Sequence, residues 1–446
     1  MESVINSQTI STIRHRELTD RVNRFQVTPT FIRVFILVAA GMFMDAIDVY
    51  LASGVSSYML ASKWSTVAQN STFLSAGFMG LFIGSITAGL VGDIFGRRRA
   101  YQLNLLIFGF FTLIGAFAPN MIFLIVCRLI AAIGLGTEIV TGYAMINEFA
   151  PIKQRGRWCA ATSLIANCGA PITMLMCTII IPRFSWRAMF VISGALALIL
   201  WYFRRNLPES PRWNINHHNY DEAEETIAMI EGEMKNKGAT PADIQATTET
   251  TGKNENDRHL TRNMIVAIVA VTAVIVCQYT FTSWVPTLLV QRGIEVTSSL
   301  GFSTVMMLGA PVGAFIGTTL VDKVGRKPTI ISAFVLAAVL GIAYAYQTSS
   351  IGVMVIGFAL TACFYVLMAV VVAVYTSELF STTYRFRGAG IANGISKLVT
   401  IGMPYAVAWM LTTVGSTTIF FTIAGMAIVA ATVVMIWGPE TNQRVI

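Results

Sequence analysis

Apolar residues in this chain gather into blocks of about twenty, the length at which an α-helix rising ~1.5 Å per residue crosses the hydrocarbon core of a bilayer. Few folds remain open to such a chain, because in lipid only helices and closed barrels satisfy every backbone polar group. The blocks read as spans at roughly 31–53, 73–91, 100–118, 121–147, 160–182, 187–203, 263–290, 300–320, 328–347, 351–376, 388–413 and 417–437. Composition agrees, since 55% of the 446 residues are hydrophobic and 12% are charged, about half the charged fraction of a soluble domain. The expected class is an all-α membrane protein, twelve transmembrane helices in two pseudo-symmetric six-helix bundles.

A long polar stretch splits the spans six and six. The expected division is a cytoplasmic amino-terminal segment 1–30, a bundle 31–203, a cytoplasmic central loop 204–262, a second bundle 263–437 and a cytoplasmic tail 438–446. Within the loop, Asp221 to Lys237 is rich in Glu, Ala, Met and Lys and predicts a surface helix, followed by a flexible linker. The first thirty residues are polar and the first apolar block is full length, which predicts a retained helix rather than a cleaved signal peptide. With the amino terminus placed in the cytoplasm, all but six of the 31 lysines and arginines fall on that side. Lys63, Arg183, Arg187 and Arg292 lie outside, and Arg128 and Lys397 lie within spans. The expectation is a multi-pass protein of a bacterial inner membrane, monomeric, with both termini cytoplasmic.

Several function classes are disfavoured. The net charge of +8 comes from residues scattered through short connections, with no basic stripe for nucleic acid. Cys127, Cys159, Cys168, Cys177, Cys277 and Cys363 lie in or beside apolar segments without metal-ligand spacing, so no metal and no cofactor are expected. His15, His217, His218 and His259 lie outside the spans and no nucleophile elbow is present, which speaks against an enzyme. The missing G-x-x-x-x-G-K-[ST] loop speaks against an ATP-driven pump.

The halves repeat each other. Asp93-x-x-Gly96-Arg97-Arg98 recurs 229 residues later as Asp322-x-x-Gly325-Arg326-Lys327, Glu148 with Arg155 recurs 230 later as Glu378 with Arg385, and Pro208-Glu209 recurs 231 later as Pro439-Glu440. Paired halves are how many secondary carriers place one site between two rocking bundles. At helix ends these charges can latch neighbouring helices through charge-assisted hydrogen bonds.

On these residues the chain resembles the major facilitator superfamily, whose G-x-x-x-D-x-x-G-R-R signature stands here as Gly89-x-x-x-Asp93-x-x-Gly96-Arg97-Arg98. The first glycine of the signature implies close helix packing at Gly89, which the second copy weakens by having Thr318 in its place and Gly317 one position early. Pro208-Glu209-Ser210-Pro211-Arg212 resembles the sugar-porter-like branches. Leu18 to Arg24, the run Phe43-Met44-Asp45-Ala46-Ile47-Asp48, and Arg128, Gly134, Gly136 and Glu138 resemble the proton-coupled niacin and aromatic-acid permeases and the related synaptic-vesicle glycoproteins. Tyr279 with Trp284-Val285-Pro286 resembles that group's seventh helix, while Ala132 replaces one of its glycines and Arg387-Gly388 stands two positions beyond Arg385.

Ionisable residues at membrane depth are functional candidates by default. Asp45 and Asp48 are three apart and share a helix face, where two close carboxylates resist ionising together. They are the leading proton carriers, with Arg128 and Glu138 as the other proton-coupling candidates, the alternative being a structural pair with an arginine. Arg128 should lie ~10 Å deep from the outer side and Asp45 ~9 Å, depths that suit an Asp45–Arg128 or Asp48–Arg128 pair, either switching or static. Lys397 should lie ~14 Å from the inner edge, near the midplane, facing a substrate carboxylate or else Glu138. Tyr143, Gln278, Tyr279, Trp284, Tyr365 and Asn393 could sandwich a flat ring, although singly each is more often a packing residue. The expected function is proton-coupled symport of a small organic anion, an aromatic or heterocyclic carboxylate. The alternatives are a neutral solute such as a sugar, export by proton exchange, and a sensor that has lost transport.

Overall fold

The structure, a computed structural model, describes residues 2–236, 259–380 and 384–441. Helices follow one another as α1 (Glu2–Asn23), α2 (Pro29–Ala61), α3 (Val67–Phe95), α4 (Arg97–Gly115), α5 (Met121–Phe149), α6 (Arg155–Asn167), α7 (Gly169–Phe184), α8 (Trp186–Arg204), α9 (Pro211–Asn216) and α10 (Tyr220–Asn236). After the central connection come α11 (Leu260–Gln291), α12 (Val296–Met307), α13 (Gly309–Lys323), α14 (Arg326–Ala345), α15 (Ser350–Leu367), α16 (Thr376–Glu378), α17 (Arg385–Thr413) and α18 (Ser416–Trp437). A π-helical stretch, Met368–Tyr375, joins α15 to α16. The linker expected after α10 lies outside the described residues, as do the side chains of Asp322 and Arg385.

Eleven spans among the described residues are long and apolar enough to cross a membrane. The twelfth is α4, whose three leading arginines and Gln102 and Asn104 lower its hydropathy while Tyr101, Asn104, Leu105 and Phe108 are buried. Two expected spans are broken. The fifth is α6 and α7, parted at Cys168, and the eighth is α12 and α13, parted at Leu308. Each break is followed by Gly-Ala-Pro, at 169–171 and 309–311. The proline removes one backbone donor and crowds the preceding turn.

Local chemistry sets the ends of several spans. Thr28 caps α2 by accepting from the Phe31 amide, ahead of Pro29 at the first helical position. Thr66 and Gln69 form a reciprocal capping box on α3. The polar segment before α2 is itself helical. Leu18, Val22 and Phe25 pack against Ala223, Ile227, Ile230 and Met234, and Arg14 and Arg21 pair with Asp221 and Glu231 at 2.7 and 2.8 Å.

The twelve crossings bring both termini to one end of the bundle, here the terminal end; the other is the distal end. At the terminal end each half keeps its own core, one around Phe31, Met145 and Ile227 and the other around Val271, Phe334 and Tyr375. At the distal end a single core takes Tyr50, Val55, Phe73 and Trp186 from the first half and Phe281, Trp284, Tyr344 and Phe420 from the second. Side-chain hydrogen bonds between the halves among the described residues also lie toward the distal end. The Ser53 hydroxyl donates to the Thr282 and Ser283 carbonyls at 2.9 Å each, Ser75 to the Ile401 carbonyl at 2.7 Å, and Thr178 meets Thr304 at 3.2 Å. The halves are therefore joined distally.

Candidate functional site

A charged seam runs along one face of α2 inside the first half. Arg128, on α5, donates from Nη1 to Asp48 Oδ1, and the two side chains are 5% and 2% exposed. The guanidinium also lies over the Phe73 ring, 5.5 Å from its centroid. Asp48 Oδ2 and Arg128 Nε are buried without a hydrogen bond, beside a crevice lined by Thr112, Leu124, Cys127 and Phe190. Of the two pairings the sequence left open, this structure contains the one with Asp48. Asp45 makes no ion pair among the described residues, and its Oδ1 is buried without a partner. Its charged neighbours are Asp48, Glu138, Lys397 and Arg128.

Glu138 is not paired with Lys397. Its Oε1 accepts from Arg204 Nη2 at 2.7 Å, with the two side chains 1% and 0% exposed. The sequence places Arg204 in the cytoplasmic connection after the sixth span; it is instead the last residue of α8, turned back into the bundle, where it also donates to the Leu37 carbonyl at 2.8 Å. Sequence reasoning missed it because an Arg204-Arg205 doublet at a span end reads as a topology signal.

Lys397, on α17, is half-buried, makes no ion pair among the described residues, and has Asp45 as its electrostatic neighbour across the halves. Tyr279 is half-buried, with its ring 5.0 Å from Phe78 and with Tyr50 and Asp45 as neighbours. Gln278 is buried and its Nε2 reaches the hydroxyls of Tyr50 and Tyr365 at 3.4 and 3.3 Å. Those two hydroxyls contact each other across the halves. Tyr50 was not among the sequence candidates, although it lies two residues from Asp48. Trp284 faces no cavity: it is 2% exposed within the shared distal core. Tyr143 is half-buried and ties α5 to α6 by a 2.6 Å contact with the Ser163 hydroxyl. Asn393 donates to the Ala389 carbonyl of its own helix at 2.9 Å.

The repeated motifs build matching corners at the terminal end. Gly96 and Gly325 take φ of 89° and 103°, a region that disfavours any side chain, and so turn the chain sharply into α4 and α14. Neither helix has its own side-chain cap. Glu209 supplies one for α4, accepting from the Arg98 amide at 3.1 and 3.2 Å, and Glu440 does so for α14, accepting from the Arg326 and Lys327 amides at 3.1 Å each. Burial pushes Glu209 above the usual carboxylate range, against the lowering effect of the Ser210, Arg98 and Arg97 amides. Next to these caps, Arg97 bridges Asp93 at 2.9 Å and Glu148 at 3.2 Å, and Arg326 makes two 3.0 Å bonds to Glu378. Arg98 instead donates to the Arg205 carbonyl at 2.7 Å.

Two latch expectations differ from what is found. Arg155 does not bond Glu148, which Arg97 takes, and its Nε is buried without a partner. At Gly89 nothing lies within 4 Å of the position a Cβ would occupy, so the close helix packing expected there is absent. The Pro-Glu-Ser-Pro-Arg run acquires specific tasks. Ser210 caps α9, Arg212 donates to Asn23 Oδ1 at 2.6 Å, and Trp213 donates to the Asp93 carbonyl at 3.1 Å.

Comparison with known proteins is consistent with this architecture. The family described as "Sugar (and other) transporter" matches residues 34–446. The inner membrane metabolite transport protein YdjE of Escherichia coli K12 is 31% identical over 440 residues, 96% of this chain and 97% of that protein. The niacin transporter NiaP of Acinetobacter baylyi is 26% identical over 437 residues, 96% and 98% of the two chains. Among solved structures, the partially occluded inward open conformation of the xylose transporter XylE from E. coli superposes with a TM-score of 0.75 at 18% identity, over 93% of this chain and 99% of that one. At that identity the likeness bears on the fold alone. Helical halves, repeated corners and a match over nearly the whole length lead to one assignment: the chain is an integral, multi-pass membrane transporter, not an enzyme, and belongs to the Sugar (and other) transporter family of the major facilitator superfamily.

Proposed function

We propose that this transporter is a proton-coupled symporter of a small organic anion, an aromatic or heterocyclic carboxylate, with both termini in the bacterial cytoplasm. The observation that carries the reading is Lys397 set across the halves from Asp45, neither in an ion pair among the described residues. While Asp45 is ionised, it offsets the ammonium and opposes an incoming anion. Once Asp45 takes a proton, Lys397 is left to a substrate carboxylate. Anion and proton then enter together, and the charge of the central region is the same before and after loading. That equality lets the loaded carrier change access without moving extra charge into a low dielectric.

Other features support the substrate class. Tyr279 and Phe78 form a half-buried aromatic wall near Asp45 that suits a flat ring. A full-length relative is named for niacin, a heterocyclic carboxylate. Distal joining of the halves corresponds, in the proposed orientation, to a carrier open toward the cytoplasm, with Arg97–Glu148 and Arg326–Glu378 acting as latches within each half. A neutral solute such as a sugar is the second reading, favoured by the unbonded Gln278 Oε1 beside two tyrosine hydroxyls.

Uptake of labelled aromatic carboxylates and sugars into proteoliposomes with an imposed pH gradient tests both. The expected result is accumulation of a carboxylate, dependent on the gradient and lost in Lys397→Ala. Sugar uptake that is indifferent to Lys397→Ala would overturn the anion reading, and carboxylate extrusion against the gradient would replace symport by exchange.

A further inference from the structure

We infer that Glu138 is a second proton-carrying carboxylate of the transporter, taking the proton from Asp45, and that Arg204 is the cation whose return to Glu138 drives that proton out at the terminal end. The inference rests on the reading of Asp45 as the first proton carrier.

The geometry of the pair is unusual for a static brace. Arg204 uses only Nη2, toward Glu138 Oε1 and the Leu37 carbonyl, while its guanidinium carbon sits 3.8 Å from the Tyr101 ring centroid. Glu138 Oε2 and Arg204 Nε and Nη1 are buried without hydrogen bonds, and the Tyr101 hydroxyl faces both partners. A buried ion pair repays its desolvation only when its remaining donors and acceptors are satisfied, and a half-satisfied network is worse than an apolar one. The pair is nonetheless accommodated by a dedicated gap in α2. A Cβ at Gly41 would come within 1.8 Å of Arg204 Nη2 and 2.0 Å of Glu138 Oε1. Gly41 is one helical turn before Asp45, so the face of α2 presents in order the Leu37 carbonyl, the Glu138–Arg204 seat, Asp45, and Asp48 with Arg128. Followed back from Asp48 to Leu37, that order leads from the middle of the bundle toward the terminal end.

In the proposed step Asp45 gives its proton to the carboxylate of Glu138. Asp45 becomes the anion that faces Lys397, and Glu138 becomes neutral and loosens its hold on Arg204, which keeps the Leu37 carbonyl and the Tyr101 ring. Water at the terminal end then takes the proton and the Glu138–Arg204 pair re-forms. Groups facing Glu138 are Arg204 from α8, Tyr101 from α4 and Asp45 from α2. Those facing Asp45 are Asp48 and Tyr50 on its own helix, Glu138, Arg128 and Tyr143 from α5, Tyr279 from α11 and Lys397 from α17.

The test compares Glu138→Gln, the charge-neutral double variant Glu138→Gln with Arg204→Gln, and Asp45→Asn in proteoliposomes, reading substrate counterflow, gradient-driven accumulation and the pH profile of uptake. The double variant removes both charges, so it avoids an uncompensated buried arginine. The expected result is counterflow retained, accumulation lost, and one titration step missing from the pH profile. Wild-type accumulation in the double variant would reduce the pair to a static brace and overturn the inference. Normal accumulation in Asp45→Asn would instead overturn the reading of Asp45. Should neither Glu138 variant fold, infrared difference spectra of the wild-type protein with and without carbon-13 glutamate decide the matter. A label-sensitive protonated-carboxyl band during turnover supports the relay, and its absence contradicts it.

Discussion

In the first half of the molecule, α2, α5 and α8 enclose two ion pairs, Asp48–Arg128 and Glu138–Arg204, with Asp45 between them. In the second half, among the described residues, the interior of the spans holds a single charge, Lys397, beside neutral polar groups such as Gln278 and Thr282 and an apolar core around Val271, Phe334 and Val371. The two halves nevertheless carry the same corners at the terminal end, down to the glutamates that cap α4 and α14. The contrast shows which parts of a duplicated fold are held in common and which are free to diverge. Helix-end chemistry is needed twice because both bundles have the same orphan amides to satisfy. Interior charge is costly in lipid, and one half can hold the paired charges while the other contributes a single cation.

If that division is right, substitutions should separate cleanly by half. The largest effect is expected from Asp45→Asn, which should abolish gradient-driven accumulation while counterflow persists; accumulation in that variant would erase the contrast. Next comes Arg128→Gln, which leaves Asp48 buried and unpaired and should lower stability by about 3–5 kcal/mol, measured as a thermal shift in detergent. Adding Asp48→Asn should recover most of that loss. In the other half, Lys397→Met should leave the melting temperature almost unchanged, since no ion pair among the described residues is broken, yet weaken binding of a carboxylate substrate. Arg97→Ala and Arg326→Ala should each remove charge-assisted bonds of about 1.5–3 kcal/mol, slowing turnover at nearly constant binding affinity. Smallest of all, Glu209→Gln and Glu440→Gln should each cost about 1 kcal/mol, and a similar size in both halves would support the shared role of the corners.

Much of the fold was legible because hydropathy and helical rise are rulers that act residue by residue. The same rulers placed Arg128 at the depth of the aspartates, although depth alone could not choose between Asp45 and Asp48, which differ by less than one turn. Glu209 and Glu440 were visible as a repeat, but their capping work depends on chain segments more than a hundred residues apart meeting at one corner. Arg204 escaped because the excess of positive charge at cytoplasmic span ends absorbs any arginine found there. Its signal was indirect: Glu138 lay at membrane depth with no cation assigned to it inside its own half. Trp284 was misplaced because an aromatic on an interface helix can face either the central region or the closed joint, and sequence periodicity does not distinguish the two. The breaks in the fifth and eighth spans carried a readable Gly-Ala-Pro, yet a window long enough to detect a span averages such a break away.

Calorimetric titration of the purified protein with an aromatic carboxylate, repeated in buffers of different ionisation enthalpy, tests the coupling of Lys397 to Asp45 most directly. The account predicts that wild-type protein takes up a proton with each anion bound, that Lys397→Met hardly binds, and that Asp45→Asn binds without proton uptake. Proton uptake undiminished in Asp45→Asn, or tight carboxylate binding by Lys397→Met, would contradict it.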